Sequence, residues 1–183
     1  MGAYIVLAVV VVLILWIIAG YNGLIKLRNQ SEEAFSTMDV YLKKRSDLVP
    51  NLVETVKGYA AHESGTLEKV TAARNMAMGA ATPEDKLKAE NGLTETLKSL
   101  FAVAENYPAL KANENFLGLQ KQLSGLEDDI ANSRKYYNGV IRMYNTATEV
   151  FPKNLISRMF HFVKKPMFEV ESPTDRENVK VRF

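Results

Sequence analysis

Cysteine is missing from this chain, histidine occurs twice and tryptophan once. Without thiols there is no disulfide framework and no thiolate metal site, and cysteine usage says nothing about redox compartment. The two histidines lack companions. His62 and Glu63 begin like a zinc-protease helix, but Thr66 stands where the second histidine ligand belongs. A di-iron bundle needs a glutamate three residues before its histidines, and Tyr59 and Arg158 hold those places. A glycine-rich phosphate loop is lacking too. Nor is there an excess of one charge: 23 basic against 21 acidic residues argue against nucleic acid as a partner. The expectation is a protein that is not an enzyme, with no catalytic, cofactor-binding or metal residues and no cofactor.

Charge is absent altogether before Lys26, and Ala3 to Ala19 form an unbroken apolar run. At ~1.5 Å per residue such a helix covers about 25 Å, close to the ~30 Å hydrocarbon core, and Gly20 to Ile25 can extend it. Tyr4 lies near one end, Trp16 and Tyr21 near the other, where interfacial aromatics belong. A cleavable signal would want a basic start, a shorter apolar stretch and an A-x-A-like site, none of which is found. The run is therefore read as a retained signal anchor, residues 1–25, with membrane lipid as a partner. Lys26 and Arg28 follow it closely and Lys43, Lys44 and Arg45 come later, whereas no cation precedes it. The positive-inside rule then sets the carboxyl-terminal body in the cytoplasm, at a bacterial inner membrane.

Beyond the anchor, residues 26–151 carry helical periodicity almost throughout. From Glu114 onward, Phe116, Leu119, Leu123, Leu126, Ile130, Ser133, Tyr137, Val140, Tyr144, Ala147 and Phe151 recur at steps of three and four, a coiled-coil-like seam. Thr82 and Pro83 read as an N-cap and first helical residue, with Glu84 and Asp85 suited to the positive first turn. That helix should stop near Asn106, because Pro108 pushes Tyr107 out of the helical region. Asp47 with Pro50 reads as another start, which predicts a break near Ser46 and a second helix from Leu48 to Met78. The alternative is one kinked helix continuing through Pro50. The fold class expected is all-α: the transmembrane helix continuing into an antiparallel four-helix bundle of long helices.

A break at Ser46 creates a conflict, since the last helix is then about thirteen residues longer than the exposed part of the first, roughly 20 Å of excess. In the second helix Leu48, Val49, Leu52, Val53, Val56, Tyr59 and Ala60 form an apolar stripe flanked by Asn51, Glu54, Lys57 and His62. Glu63 falls on the stripe and needs a partner, for which Arg45 or Arg74 is available. His62 is read as a partly buried polar residue bonding across the bundle.

The helix order expected here brings residues 152–168 back beside the membrane. There Leu155, Ile156, Met159, Phe160 and Val163 share helical spacing amid Lys153, Arg158, Lys164 and Lys165, as in an interfacial amphipathic helix. A helix folded back on the bundle end fits the pattern equally. Residues 169–183 read as a polar, disordered tail, though Val179, Val181 and Phe183 alternate as in a short edge strand.

Three stretches carry a family likeness: YNGLIKLRNQSEEAFSTMDVYLKKRSDLVPNLVETVKGYAAHESGTLEKVTAAR, KANENFLGLQKQL and YNGVIRMYNTATEVFPKNLI. In this order they resemble the LemA family of bacterial membrane proteins, from Tyr21 to about Ile156. The resemblance implies an amino-terminal transmembrane helix and an antiparallel helical bundle, without implying a reaction. Phe35 departs from the family's usual tryptophan, a conservative packing change.

Function is accordingly expected to be structural: a single-pass scaffold that self-associates as a homo-oligomer or docks another membrane protein. Tyr136, Ile141 and Met143 are the exposed second face available for this. The alternatives are a membrane-tethered adaptor for a protease or transporter, and a ligand-binding or enzymatic bundle using Asn51, Glu54, His62 and Glu63.

Overall fold

The computed structural model describes residues 1–168; the tail and its alternating Val179, Val181 and Phe183 lie outside them. Six helices make up the regular structure: α1 (Gly2–Lys57), α2 (Ser64–Gly79), α3 (Pro83–Ala104), α4 (Pro108–Lys111), α5 (Glu114–Glu149) and α6 (Lys153–Met159). Among the described residues there is no strand. The chain divides into two compact units, one built from Met1–Tyr41 with Asp128–Met167, the other centred on Leu42–Glu127.

In the first unit the apolar run is helical and exposed from Tyr4 to Ile18, with Ile17 alone half-buried. Burial in α1 begins at Gly20 and recurs at Leu24, Ser31, Ala34 and Met38. α5 buries Ile130, Ser133, Tyr137, Val140, Ile141, Tyr144 and Thr148 here, and α6 buries Ile156 and Ser157. Phe35 sets its ring 5.9 Å from that of Tyr137, so the aromatic packing expected at this position is kept.

The end of α6 explains how the chain turns back. His161 adopts φ 57°, the left-handed region in which a non-glycine residue is uncommon. Its N–H donates to the Arg158 carbonyl, and the N–H of Phe162 donates to the Ser157 carbonyl at 2.9 Å, the paired bonds of a Schellman cap. The segment that follows has no helix or sheet to satisfy its backbone, and α5 side chains do so instead. Tyr144 donates its hydroxyl to the Val163 carbonyl at 3.0 Å, and Tyr137 donates to that of Pro166 at 2.8 Å. Asn145 takes the N–H of Lys165 on its oxygen and donates to the Lys165 carbonyl. Positions 137, 144 and 145 share one helix face, which is why a single stripe of α5 can hold an extended strap.

The second unit has one core. Val49, Leu52 and Val56 from α1 meet Leu67, Val70, Ala73 and Ala77 from α2, Leu93, Leu97 and Leu100 from α3, and Phe116 and Leu123 from α5. Local chemistry sets the boundaries as expected around α3: Thr82 accepts the Asp85 N–H at 3.1 Å, Pro83 opens the helix, and Pro108 restarts the chain after Tyr107. Asn113 caps α5 by accepting the Phe116 N–H.

The break expected near Ser46 is absent. α1 runs unbroken through Pro50 for 56 residues, and the chain turns at 58–63 instead. Proline removes the N–H that would have bonded the Ser46 carbonyl. That carbonyl is not left unpaired, because Arg74 donates its Nε–H to it at 3.2 Å from α2. The pyrrolidine ring is exposed, so it costs no packing. With the turn moved to 58–63, the length conflict that follows from a break at Ser46 does not arise.

The α5 seam is buried or half-buried from Phe116 to Ala147, but Phe151 is exposed. Ile141, expected on the exposed face, is fully buried, whereas Tyr136 and Met143 are exposed. In this stretch α5 is flanked twice, by α1 at Tyr137 and by the strap at Tyr144 and Asn145, and so buries a wider face than one seam.

The proline and the arginine should be energetically coupled. Arg74→Met is expected to lose about 1.5 to 3 kcal/mol, the range for a hydrogen bond to a charged group. In a Pro50→Ala background, where the helix makes its own bond to Ser46, the same change should cost much less. Urea unfolding of the four proteins in detergent measures the coupling, and equal costs in both backgrounds would remove it.

Candidate functional site

Side chains that carry chemistry gather at two places. The first is inside the second unit, where Arg45 is wholly buried. Its guanidinium donates to Thr94 Oγ1 at 2.9 Å, to Glu127 Oε1 at 2.7 Å and to the Glu90 carbonyl at 3.2 Å, and it is ion-paired with the equally buried Glu90 carboxylate. One cation thus ties α1 to α3 and α5. Arg45 was expected among the cations that follow the span; it is a core residue instead. A signal for this was present, because Arg45 keeps the seven-residue spacing of Leu24, Ser31 and Met38, all before Ser46, and Leu52 continues it.

Nothing about this network suits it to turnover. The guanidinium and the Glu90 carboxylate are both fully buried, so neither is open to a substrate, while Glu127 is partly exposed. The network joins three helices of the unit at one point.

The residues weighed for a ligand site do not converge. Asn51, Glu54 and His62 are exposed, so the expectation of a partly buried His62 bonding across a bundle is not met. The helix containing the stripe ends at Lys57, which leaves His62 in the turn. Glu63 is half-buried and accepts the Tyr107 hydroxyl at 3.2 Å, rather than meeting Arg45 or Arg74. An open groove of about 530 Å³ beside Glu54 and Lys57 does not include Asn51, His62 or Glu63. Among the described residues no three carboxylates or histidines lie together as a metal would need.

The second gathering lies in the first unit, at the end of the apolar run. The rings of Phe160 and Phe162 lie 4.7 and 5.8 Å from that of Tyr21. Lys165 reaches from the strap to Ser31 Oγ at 2.7 Å and Glu32 at 3.3 Å, with its ammonium 5.7 Å from the centre of the Tyr144 ring. Lys165 is therefore committed within the fold, and Lys164 pairs with Glu149, so of the four cations expected to face lipid these two are engaged. Lys153 and Arg158 are exposed. A crevice of about 190 Å³ between Tyr21, Arg28, Tyr144, His161 and Lys165 holds two cations, but Glu32 faces both, at 3.6 Å from Arg28. Beside it an open apolar groove of about 620 Å³ runs past Leu27, Met143, Ala147, Val150 and Phe151.

Burial raises the Tyr137 phenol above its ordinary range; Tyr144 is also raised by burial, opposed by Arg28 and reinforced by Glu32. A phenol whose folded pKa is raised contributes stability below the unfolded pKa of about 10, and loses it as pH rises through the folded value. The first unit should weaken as pH climbs above about 10. Unfolding midpoints against pH should show that slope flattened in Tyr137→Phe with Tyr144→Phe; an unchanged slope would contradict it.

The buried pair makes its own demand. Glu90→Leu should cost about 3 to 5 kcal/mol by leaving Arg45 short of a partner, and Arg45→Met with Glu90→Leu should recover much of this. Denaturant midpoints of single and double variants decide it, and additive losses would mean the two groups do not act together.

Among known proteins, the model described as the LemA family matches residues 34–183. Two magnetosome proteins of Paramagnetospirillum magneticum, MamQ 1 and MamQ 2, are each 25% identical over 192 residues, covering 91% of this chain and 71% of theirs. Protein LemA of Metamycoplasma hominis is 24% identical over 152 residues, covering 81% of this chain and 68% of its own.

Proposed function

The chain belongs to the LemA family, and from that premise we propose that it is a single-pass anchored helical scaffold which self-associates at the bacterial inner membrane. The observation that carries this is the bare span. α1 contains a window of mean hydropathy 3.0, none of it buried by the protein. Each large apolar side chain left in water forfeits about 1.5 to 3 kcal/mol, so a helix exposing this many of them belongs in lipid. The span continues into α1's buried face without a linker, as an anchor for a positioned body would. Lys26 and Arg28 after the span support a cytoplasmic body, in which α1, α2, α3 and α5 form an antiparallel four-helix bundle.

Several features favour a structural role. The buried polar cluster around Arg45 is an ion-pair clamp, Tyr136 and Met143 leave apolar surface on α5, and the MamQ relatives are named as magnetosome proteins. The groove beside Leu27 and Met143 favours a related reading, an adaptor that holds a segment of another membrane protein such as a protease or transporter.

Size analysis of the detergent-extracted full chain, beside a chain beginning at Gly20, tests the scaffold. The full chain should run as a multimer. A monodisperse monomer across the concentration range would overturn self-association, and a multimer in both would locate it in the body rather than the span.

A further inference from the structure

The exit of the span is occupied by the protein's own chain. Ala3 to Ala19 covers about 25 Å, so a hydrocarbon core of ~30 Å reaches past Ala19 to Gly20 and Tyr21. Those two residues are where α6 docks. A Cβ built on Gly20 would lie 2.2 Å from Ile156 Cδ1, an approach that only glycine permits without displacing the isoleucine, and Phe160 rests on the Tyr21 ring. Gly20 is also the first buried residue of α1, so the protein's own packing starts at the depth where lipid must stop.

At that depth α6 turns Ile156 and Ser157 inward and leaves Leu155 and Met159 about half exposed, at 52% and 53%, with Phe151 at 74%. These three recur every fourth residue, which stacks 155 and 159 on one face of α6 and continues the line to the turn before it. Lys153 and Arg158 are exposed among them, and no acidic residue occurs from Val150 to Pro166. An apolar row fringed by cations is the complement of one surface in particular, the boundary between acyl chains and anionic headgroups.

We infer that α6 is an interfacial helix, with Phe151, Leu155 and Met159 entering the acyl-chain boundary and Lys153 and Arg158 meeting headgroup phosphates. The inference rests on the proposed insertion of the span and adds a second point of membrane contact to it. Docked on Gly20 and Tyr21, α6 fixes the rotation of the first unit about the span, so that one side of it always faces lipid.

Tryptophan quenching in vesicles of brominated phosphatidylcholine, with or without phosphatidylglycerol, separates the two claims. In the unmodified full chain, quenching of Trp16, the sole tryptophan, reports insertion. In a Trp16→Phe chain, Leu155→Trp or, independently, Met159→Trp should lose on the order of half its emission when bromines lie near the ester end of the acyl chain. Met76→Trp, at an exposed position of α2, should lose almost none. Quenching at 155 should be stronger with phosphatidylglycerol, and Lys153→Gln with Arg158→Gln should remove that increment. Trp16 quenched while 155 and 159 behave like 76 would overturn the interfacial helix and leave the anchor standing. Trp16 unquenched would overturn both, and quenching indifferent to headgroup charge and to the two Gln changes would overturn the assignment to anionic lipid.

Discussion

One backbone carbonyl decides the architecture. Without a donor the Ser46 oxygen would be an unpaired carbonyl added to the strain of an interior proline, about 3 kcal/mol or more. Arg74 supplies the donor, at the cost of dedicating a guanidinium to a main-chain repair. With α1 continuous, the heptad spacing that runs from Leu24 to Arg45 extends in register to Leu52, and the buried guanidinium stands opposite Glu90 and Thr94. Two arginines on different helices thus have separate tasks. Arg74 pairs the carbonyl that Pro50 orphans, and Arg45 ties α1 to α3 and α5.

What was legible in the sequence was local or periodic. The apolar run, the Thr82-Pro83 start of α3, the stop before Pro108 and most of the α5 seam follow from neighbours within one or two turns. The continuity of α1 through Pro50 is not legible locally, because the residue that donates to the Ser46 carbonyl lies 28 positions away from it. Ile141 was misjudged for a related reason: a seam counts the faces a helix needs for one partner, and the strap that adds to α5's burden has no periodicity. Glu63 and Lys165 found partners by tertiary approach, Tyr107 in one case and Ser31 with Glu32 in the other. His62 fell in the turn that opened where α1 ended.

The strap shows how a segment without secondary structure is made part of a fold. Its carbonyls at Val163, Lys165 and Pro166 take hydrogen bonds from Tyr144, Asn145 and Tyr137, all from one face of α5. Raised phenol pKa values follow from the same burial, since a tyrosine that donates to a carbonyl beneath a covering chain has poor access to water. The His161 cap belongs to this economy, because the reversal it makes is what returns the chain to α5.

The absence of a linker between the span and the rest of the first unit has a mechanical consequence. A tethered domain on a flexible segment is indifferent to how its anchor sits in the bilayer. Here the anchor is the first part of a stiff shaft whose next residues, Leu24, Ser31 and Met38, are already gripped by the fold. Transmembrane helices answer a change in hydrocarbon thickness by tilting. Any such tilt becomes a swing of the first unit, with leverage that grows along the shaft, so the thickness of the bilayer is converted into the angle at which the attached domain stands.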